Sequence, residues 1–178
     1  MHPSQVPVEV VLYDPKWINR FEIERGALLS AVGSLVDDIQ HFGSTSVPNL
    51  WAKPTIDILL GTHVWPWTGD DALATLGYTF YKAPSPQWRV YLRAYEDDPR
   101  GVHLHITEHG SGHWRRHILL RDYLRAHHTE AERYSAFKRD AAICFGGDRG
   151  EYQHAKNLLV QELEGQAEVW CDEPSQRA

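Results

Sequence analysis

Only two cysteines, Cys144 and Cys171, occur in the 178 residues, and they show no paired close spacing. They fit a reducing compartment better than a disulfide framework, with the cytoplasm as the default. No run approaches the roughly 18 apolar residues that a membrane span requires. The segment from Met1 to Val8 also lacks a basic start followed by an apolar stretch. The expectation is a soluble, non-exported protein without a membrane partner. Basic excess is missing too: 18 Lys and Arg face 24 Asp and Glu, for a formal net charge of −6. This argues against a long nucleic-acid partner, so an anionic ligand would have to meet a local patch. No internal repeat appears.

A chain of this length, 42% hydrophobic, can hide roughly 70% of the surface its unfolded form exposes, enough for one self-sufficient core. Asp14-Pro15 opens a helix over about 15 to 33, and Val36 to Phe42 reads as a strand running into Gly43-Ser44-Thr45-Ser46. A strand from Thr55 to Leu60 follows, then a helix from Thr68 to Leu76 closed by Gly77, and an extended stretch from Tyr78 to Lys82 before the Pro84-Ser85-Pro86 break. Two strands, Trp88 to Tyr95 and Val102 to Glu108, are joined by the turn-rich Asp97-Asp98-Pro99-Arg100-Gly101, as in an antiparallel hairpin. The remainder reads as helix: His113 to Ala126; a helix opened by a Thr129/Glu132 capping box and presenting Tyr134, Phe137, Ala141 and Phe145; a Gly146-Gly147 stop; and a last helix opened by Asp148 with Glu151. These elements make one α+β domain over residues 1–165, with an acidic, frayed tail over 166–178.

Side chains alternate across a strand, so each strand has two faces. Ile56, Ile58 and Leu60, Val90 and Leu92, and Leu104 and Ile106 form an apolar set that helices should cover. The opposite set is Thr55 and Asp57; Arg89, Tyr91 and Arg93; and His103, His105 and Thr107. A merely solvated sheet face usually mixes Lys, Glu, Thr and Ser. This one offers no Lys or Glu, which points to a chemical role.

The order of strand, Gly43-Ser44 turn and a second strand with Asp57 on its polar face sharpens the reading, because a Gly-Ser turn exposes amide and hydroxyl donors suited to phosphate. The block His41-Phe42-Gly43-Ser44-Thr45-Ser46-Val47-Pro48-Asn49-Leu50, followed by Ala52-Lys53-Pro54-Thr55-Ile56-Asp57-Ile58, resembles the signature of the GrpB-like family. Other segments resemble that family in the expected order: Tyr13-Asp14-Pro15 with Trp17, His103-Leu104-His105, Arg121-Asp122-Tyr123-Leu124-Arg125, Tyr134 with Lys138, and Tyr152 with Lys156. The resemblance spans roughly residues 6 to 165.

It implies a nucleotidyltransferase-like fold: a mixed β-sheet with helices packed mainly on one face, a C-terminal helical segment and a nucleotide site at the Gly-Ser turn. Some members are joined to dephospho-CoA kinase, a link to nucleotide or coenzyme metabolism. One departure matters. Working nucleotidyltransferases place two carboxylates at alternating strand positions to hold bridging metals, whereas this chain has Thr55 and Asp57 there. One Asp can still help hold Mg²⁺, with phosphate oxygens and waters completing the octahedron.

Asp57 is a candidate metal-binding carboxylate, or else a structural acid. His103 and His105 are candidates for proton transfer or, with Asp57 and His41, for metal ligation. Gly43, Ser44, Thr45, Ser46 and Lys53 are candidate phosphate contacts, and Arg89 and Arg93 add permanent charge. Arg121 is a candidate wall residue, and Tyr152 and Lys156, one turn apart, could close the cleft. Three readings stand open: an enzyme that binds a nucleoside triphosphate with Mg²⁺ and transfers a nucleotidyl or phosphoryl group to a small polar acceptor; a module that binds a nucleotide or phosphorylated metabolite without turnover; and a His/Asp metal-dependent enzyme.

Overall fold

The computed structural model describes residues 9–95, 101–145 and 148–172. The expected turn at Asp97 to Arg100, the Gly146-Gly147 stop and the tail beyond residue 172 lie outside them. Asp14 accepts a hydrogen bond from the Lys16 amide at 2.9 Å and so opens α1, Lys16–Val32. The chain then forms β1 (Val36–Phe42), a short turn of 3₁₀ helix at Ser44–Ser46 and β2 (Ile56–Thr62). Helix α2 (Asp70–Thr75), β3 (Thr79–Ser85), β4 (Trp88–Arg93) and β5 (Val102–Glu108) follow. Three helices complete it: α3 (Gly112–Ala126), α4 (His128–Phe145) and α5 (Arg149–Asp172).

The strands make one mixed sheet in the order β1-β2-β5-β4-β3. Only the central pair, β2 and β5, is parallel, with Asp57 beside His103 and Leu59 beside His105. α1 and α2 cover one face, where Trp17, Phe21, Leu28 and Leu73 bury Ile56, Ile58, Leu60, Leu104 and Ile106. α3 covers part of the other: Trp114 packs on Phe42 and Leu59, which project on the same side as Asp57. The helices therefore occupy both faces, because Phe42 and Leu59 need cover as much as the isoleucines do. Among the described residues no helix is long and apolar enough to cross a membrane.

Several local expectations change. β3 runs through Pro84 instead of breaking there, which an edge strand tolerates because a proline's missing N–H costs it no ladder bond. Thr129 lies inside α4, so it forms no capping box, and the buried stripe is Ala131, Tyr134, Ser135, Lys138 and Ala141, with Phe145 left exposed. Asp148 does open α5, accepting from the Gly150 and Glu151 amides at 2.9 and 3.1 Å. α5 then continues through Gly165 to Asp172. Ala167 is buried there and Trp170 packs on the same cluster, so residues 166–172 are held helix and not a frayed tail.

β4 presents the opposite faces from those its pattern suggests. Its antiparallel register on β5 sets Val90 beside His105 and Leu92 beside His103, and Arg89, Tyr91 and Arg93 beside Ile106, Leu104 and Val102. The arginines thus project to the face covered by α1 and α2. Arg93 Nη1 donates to both oxygens of the buried Glu24 of α1 at 3.0 Å. Tyr78 donates to the same carboxylate at 2.7 Å, as does Tyr95. A buried Glu is tolerable only when so fully paired. Arg89 lies beside Tyr91, whose hydroxyl donates to Asp70.

Candidate functional site

Between the other face of the sheet and α3, α4 and α5 lies a cavity of about 750 Å³. Phe42, Asp57, Trp88, Val90, Leu92, His103 and His105 line its sheet side. Gly43, Ser44, Lys53, Tyr134, Lys138, Tyr152 and Lys156 are among its other walls. Sequence reasoning expected this convergence for all of these but Phe42, Trp88, Val90, Leu92, Tyr134 and Lys138.

Asp57 and His103 are paired neighbours on β2 and β5, which brings His103 Nδ1 to 3.4 Å from Asp57 Oδ1. Burial pushes the Asp57 carboxyl up, but the hydrogen bond and charge of His103, with His105 and Lys53, outweigh it and hold the group down at about 2. It is a carboxylate at neutral pH. A carboxylate at Nδ1 turns the other ring nitrogen, Nε2, into the proton acceptor. His105 is held differently: the Trp88 indole N–H donates to its Nδ1 at 3.1 Å. Burial pushes His105 well below the usual histidine range.

Gly43 adopts φ +69°, and any Cβ there would stand 2.5 Å from Asp57 Oδ2. The glycine is what lets the turn reach the carboxylate. Gly43 and Ser44 face the cavity, and Tyr134 shares a side-chain hydrogen bond with Ser44. Thr45 and Ser46 do not serve as phosphate contacts through their hydroxyls. Thr45 donates to the Thr55 carbonyl at 3.1 Å and meets His41, and Ser46 donates to the Gly43 carbonyl at 2.6 Å. Both hydroxyls tie the turn together.

His41 is excluded from the metal candidate by register. It pairs with Ile58, so its ring lies on the opposite face, stacked on Phe21 at 4.9 Å. Burial pushes its pKa down to about 4. Arg121 lines the cavity, but its Nη1 donates to Gln40 at 2.7 Å and to the His41 carbonyl at 3.1 Å, and its Nε to Asp122 at 2.8 Å. It and Arg125, which grips the Ser46 carbonyl at 2.8 and 3.1 Å, clamp α3 onto the strand end and turn.

Lys138 is the one charged side chain among the cavity-lining residues named above that the sequence pattern did not point to. Its side chain is 2% exposed, donates to the Trp51 carbonyl and stands 4.3 Å from the centre of the Tyr134 ring. Burial, with the charge of Lys156, pushes its amine well below the usual lysine range against the pull of Asp57. The available signal was a lysine in register with the buried stripe of α4.

Asp57, His103 and His105 each offer an atom within 4.8 Å of the others, the one such trio among the described residues. As a Mg²⁺ site it fits poorly. Mg²⁺ takes six oxygens, and this trio supplies one carboxylate and two imidazoles. The Thr55 hydroxyl, which lines the cavity two positions away, is buried with no partner. Such an orphan in a cavity wall is a place for a ligand to pair.

A family model described as "GrpB protein" matches residues 7–166. The chain belongs to the GrpB family. The UPF0157 protein YqkA of Bacillus subtilis is 33% identical over 165 residues, covering 92% of this chain and 48% of its own length. A protein named dephospho-CoA kinase from Mycobacterium leprae is 24% identical over 195 residues, covering 93% of this chain and 48% of its own. The GrpB chain thus spans about half the length of each. The crystal structure of GrpB from Enterococcus faecalis superposes with a TM-score of 0.79 at 27% identity, covering 91% of this chain and 99% of that one. The fold is nucleotidyltransferase-like α+β.

Proposed function

We propose that this GrpB protein binds a nucleoside triphosphate in the cavity and transfers a nucleotidyl or phosphoryl group to the hydroxyl of a small polar acceptor. The carrying observation is the Asp57–His103 pair, 3.4 Å apart, in a cavity also lined by Lys53, Lys138 and Lys156. The acceptor oxygen bonds to phosphorus as the P–O bond to the leaving pyrophosphate or nucleoside diphosphate breaks. The electron pair leaves with the phosphate oxygen. The hydroxyl proton passes to His103 Nε2, and the Asp57 carboxylate stabilises the imidazolium that forms. Lys53, Lys156 and Ser44 hold the phosphates, where a partly enclosed cavity strengthens the charge of the two lysines. Since the side chains do not make a Mg²⁺ cage, Mg²⁺ enters this reading only as the companion of the triphosphate.

Thr55 in place of a first carboxylate favours a second reading, a nucleotide- or metabolite-binding module without turnover. The two separate in one assay. Protein is incubated with Mg²⁺, each triphosphate and a pool of polar metabolites that includes dephospho-CoA, and release of pyrophosphate, nucleoside diphosphate and phosphate is followed. His103→Ala should slow release about a hundredfold, the scale of general-base help. Saturable binding without any product, unchanged in His103→Ala, leaves the binding module.

A further inference from the structure

The Trp88 indole N–H can only donate, so the His105 nitrogen that receives it at 3.1 Å must present a lone pair. A neutral imidazole carries one proton, and here that proton sits on Nε2. Adding a second at Nδ1 would set two donors against each other, and burial already disfavours the charged ring. The groups facing His105 are Asp57 and His103 from the sheet, His113 and His117 from α3, the Phe42 ring edge-on at 5.0 Å and the Trp88 ring stacked at 5.5 Å. Asp57 alone among them is an acid, and it is engaged by His103.

We propose that Trp88 fixes His105 as a permanent Nε2–H donor facing the cavity, where it takes an anionic phosphoryl oxygen, and thereby removes it from metal ligation. Trp88 is a positioning residue in this arrangement. A histidine ligates through a lone pair, and the one on His105 is spent on the indole. Asp57 and His103 are left as two ligands, fewer than the three that catalytic zinc sites use. The two histidines of β5 are thus set in opposite tautomers on one face: His103 offers an acceptor nitrogen and His105 a donor. One removes a proton while the other holds the oxygen on which negative charge gathers.

The choice of a phosphoryl oxygen as partner rests on the function proposed above. The tautomer does not, and ¹⁵N-histidine NMR of the ligand-free protein tests it directly. Wild-type His105 should show a pyridine-type Nδ1 and a protonated Nε2 at neutral pH. Trp88→Phe keeps the ring, removes the N–H and should let the Nδ1-protonated form appear. A proton on Nδ1 of wild-type His105 overturns the proposal, and so does a tautomer unmoved by Trp88→Phe. Zn²⁺ titration is a second arm: His105→Ala should bind Zn²⁺ within about twofold of wild type, and a tenfold weakening would show His105 to be a ligand. Pyrophosphate, as probe, should shift the His105 Nε2–H signal. Bound pyrophosphate that leaves that signal in place refutes the donor role, whereas protein that does not bind pyrophosphate at all counts against the transferase reading.

Discussion

Replacing Gly43 by alanine perturbs the turn and the acid together. The backbone there has φ +69° and ψ −173°, a region that is in practice glycine's own, and occupying it with a Cβ costs about 1–3 kcal/mol. The added methyl also falls 2.5 Å from Asp57 Oδ2, 3.1 Å from its Cγ and 3.0 Å from its Cβ. Asp57 cannot simply swing aside without leaving His103, so overpacking adds about 1–3 kcal/mol more. The expected loss for Gly43→Ala is therefore about 4 kcal/mol in urea unfolding, read as a lower midpoint at unchanged slope. The steric part can be isolated. In an Asp57→Ala background Oδ2 and Cγ are gone, and Gly43→Ala should cost about 2 kcal/mol less than in wild type, a coupling typical of residues in contact. A cost below about 1 kcal/mol, or an equal cost in both backgrounds, would refute the close approach on which the site's geometry rests.

Glu24→Gln leaves Arg93 with a weakened partner in the buried face and should lower stability by about 3 kcal/mol or more, while triphosphate binding stays within twofold, since that network lies across the sheet from the cavity. Arg89→Ala should likewise leave triphosphate handling within about twofold; a tenfold loss would return Arg89 to the site. Stability should fall as pH drops from 6.5 towards 4. His41, with its pKa lowered by burial from 6.5 to about 4, stays neutral in the fold while the unfolded chain takes up a proton. Its contribution is complete above 6.5 and is lost as the pH falls through the folded value, about 3 kcal/mol at most. Urea midpoints across that range should show it, and His41→Asn should flatten the slope.

The chemistry of the central strands was legible because alternation sets Ile56, Ile58 and Leu60 against Asp57 on β2, Leu59 being the apolar exception, and Leu104 and Ile106 against His103 and His105 on β5. Parallel pairing then put Asp57 beside His103. β4 also alternates and was assigned the wrong way round. Alternation separates two faces without saying which is which, and here the cavity is lined by Val90 and Leu92 while the arginines lie half-buried on the opposite face. What turns Arg93 inward is Glu24, 69 residues earlier on α1, a partner that strand patterning cannot register. His41 misled for the same reason, as a histidine near the Gly-Ser turn in sequence but across the sheet in space. Lys138 escaped because a lysine on a helix normally reads as solvated, and only packing of α4 over Trp51 makes it part of a wall. The turn was recognised by composition, but which of its hydroxyls are spent internally depends on Thr55 and Gly43 carbonyls fixed by the tertiary fold.

Entry of phosphate into the cavity above Asp57 and His103 can be seen in a crystal structure of the protein with a non-hydrolysable triphosphate analogue. Phosphate oxygens should lie against Ser44, Lys53 and Lys156, with the transferable phosphorus near enough to His103 Nε2 for an acceptor hydroxyl to fit between them. Phosphates bound instead in the shallow groove of Tyr123, His127 and Trp170, or across the sheet beside Arg89, would contradict that placement.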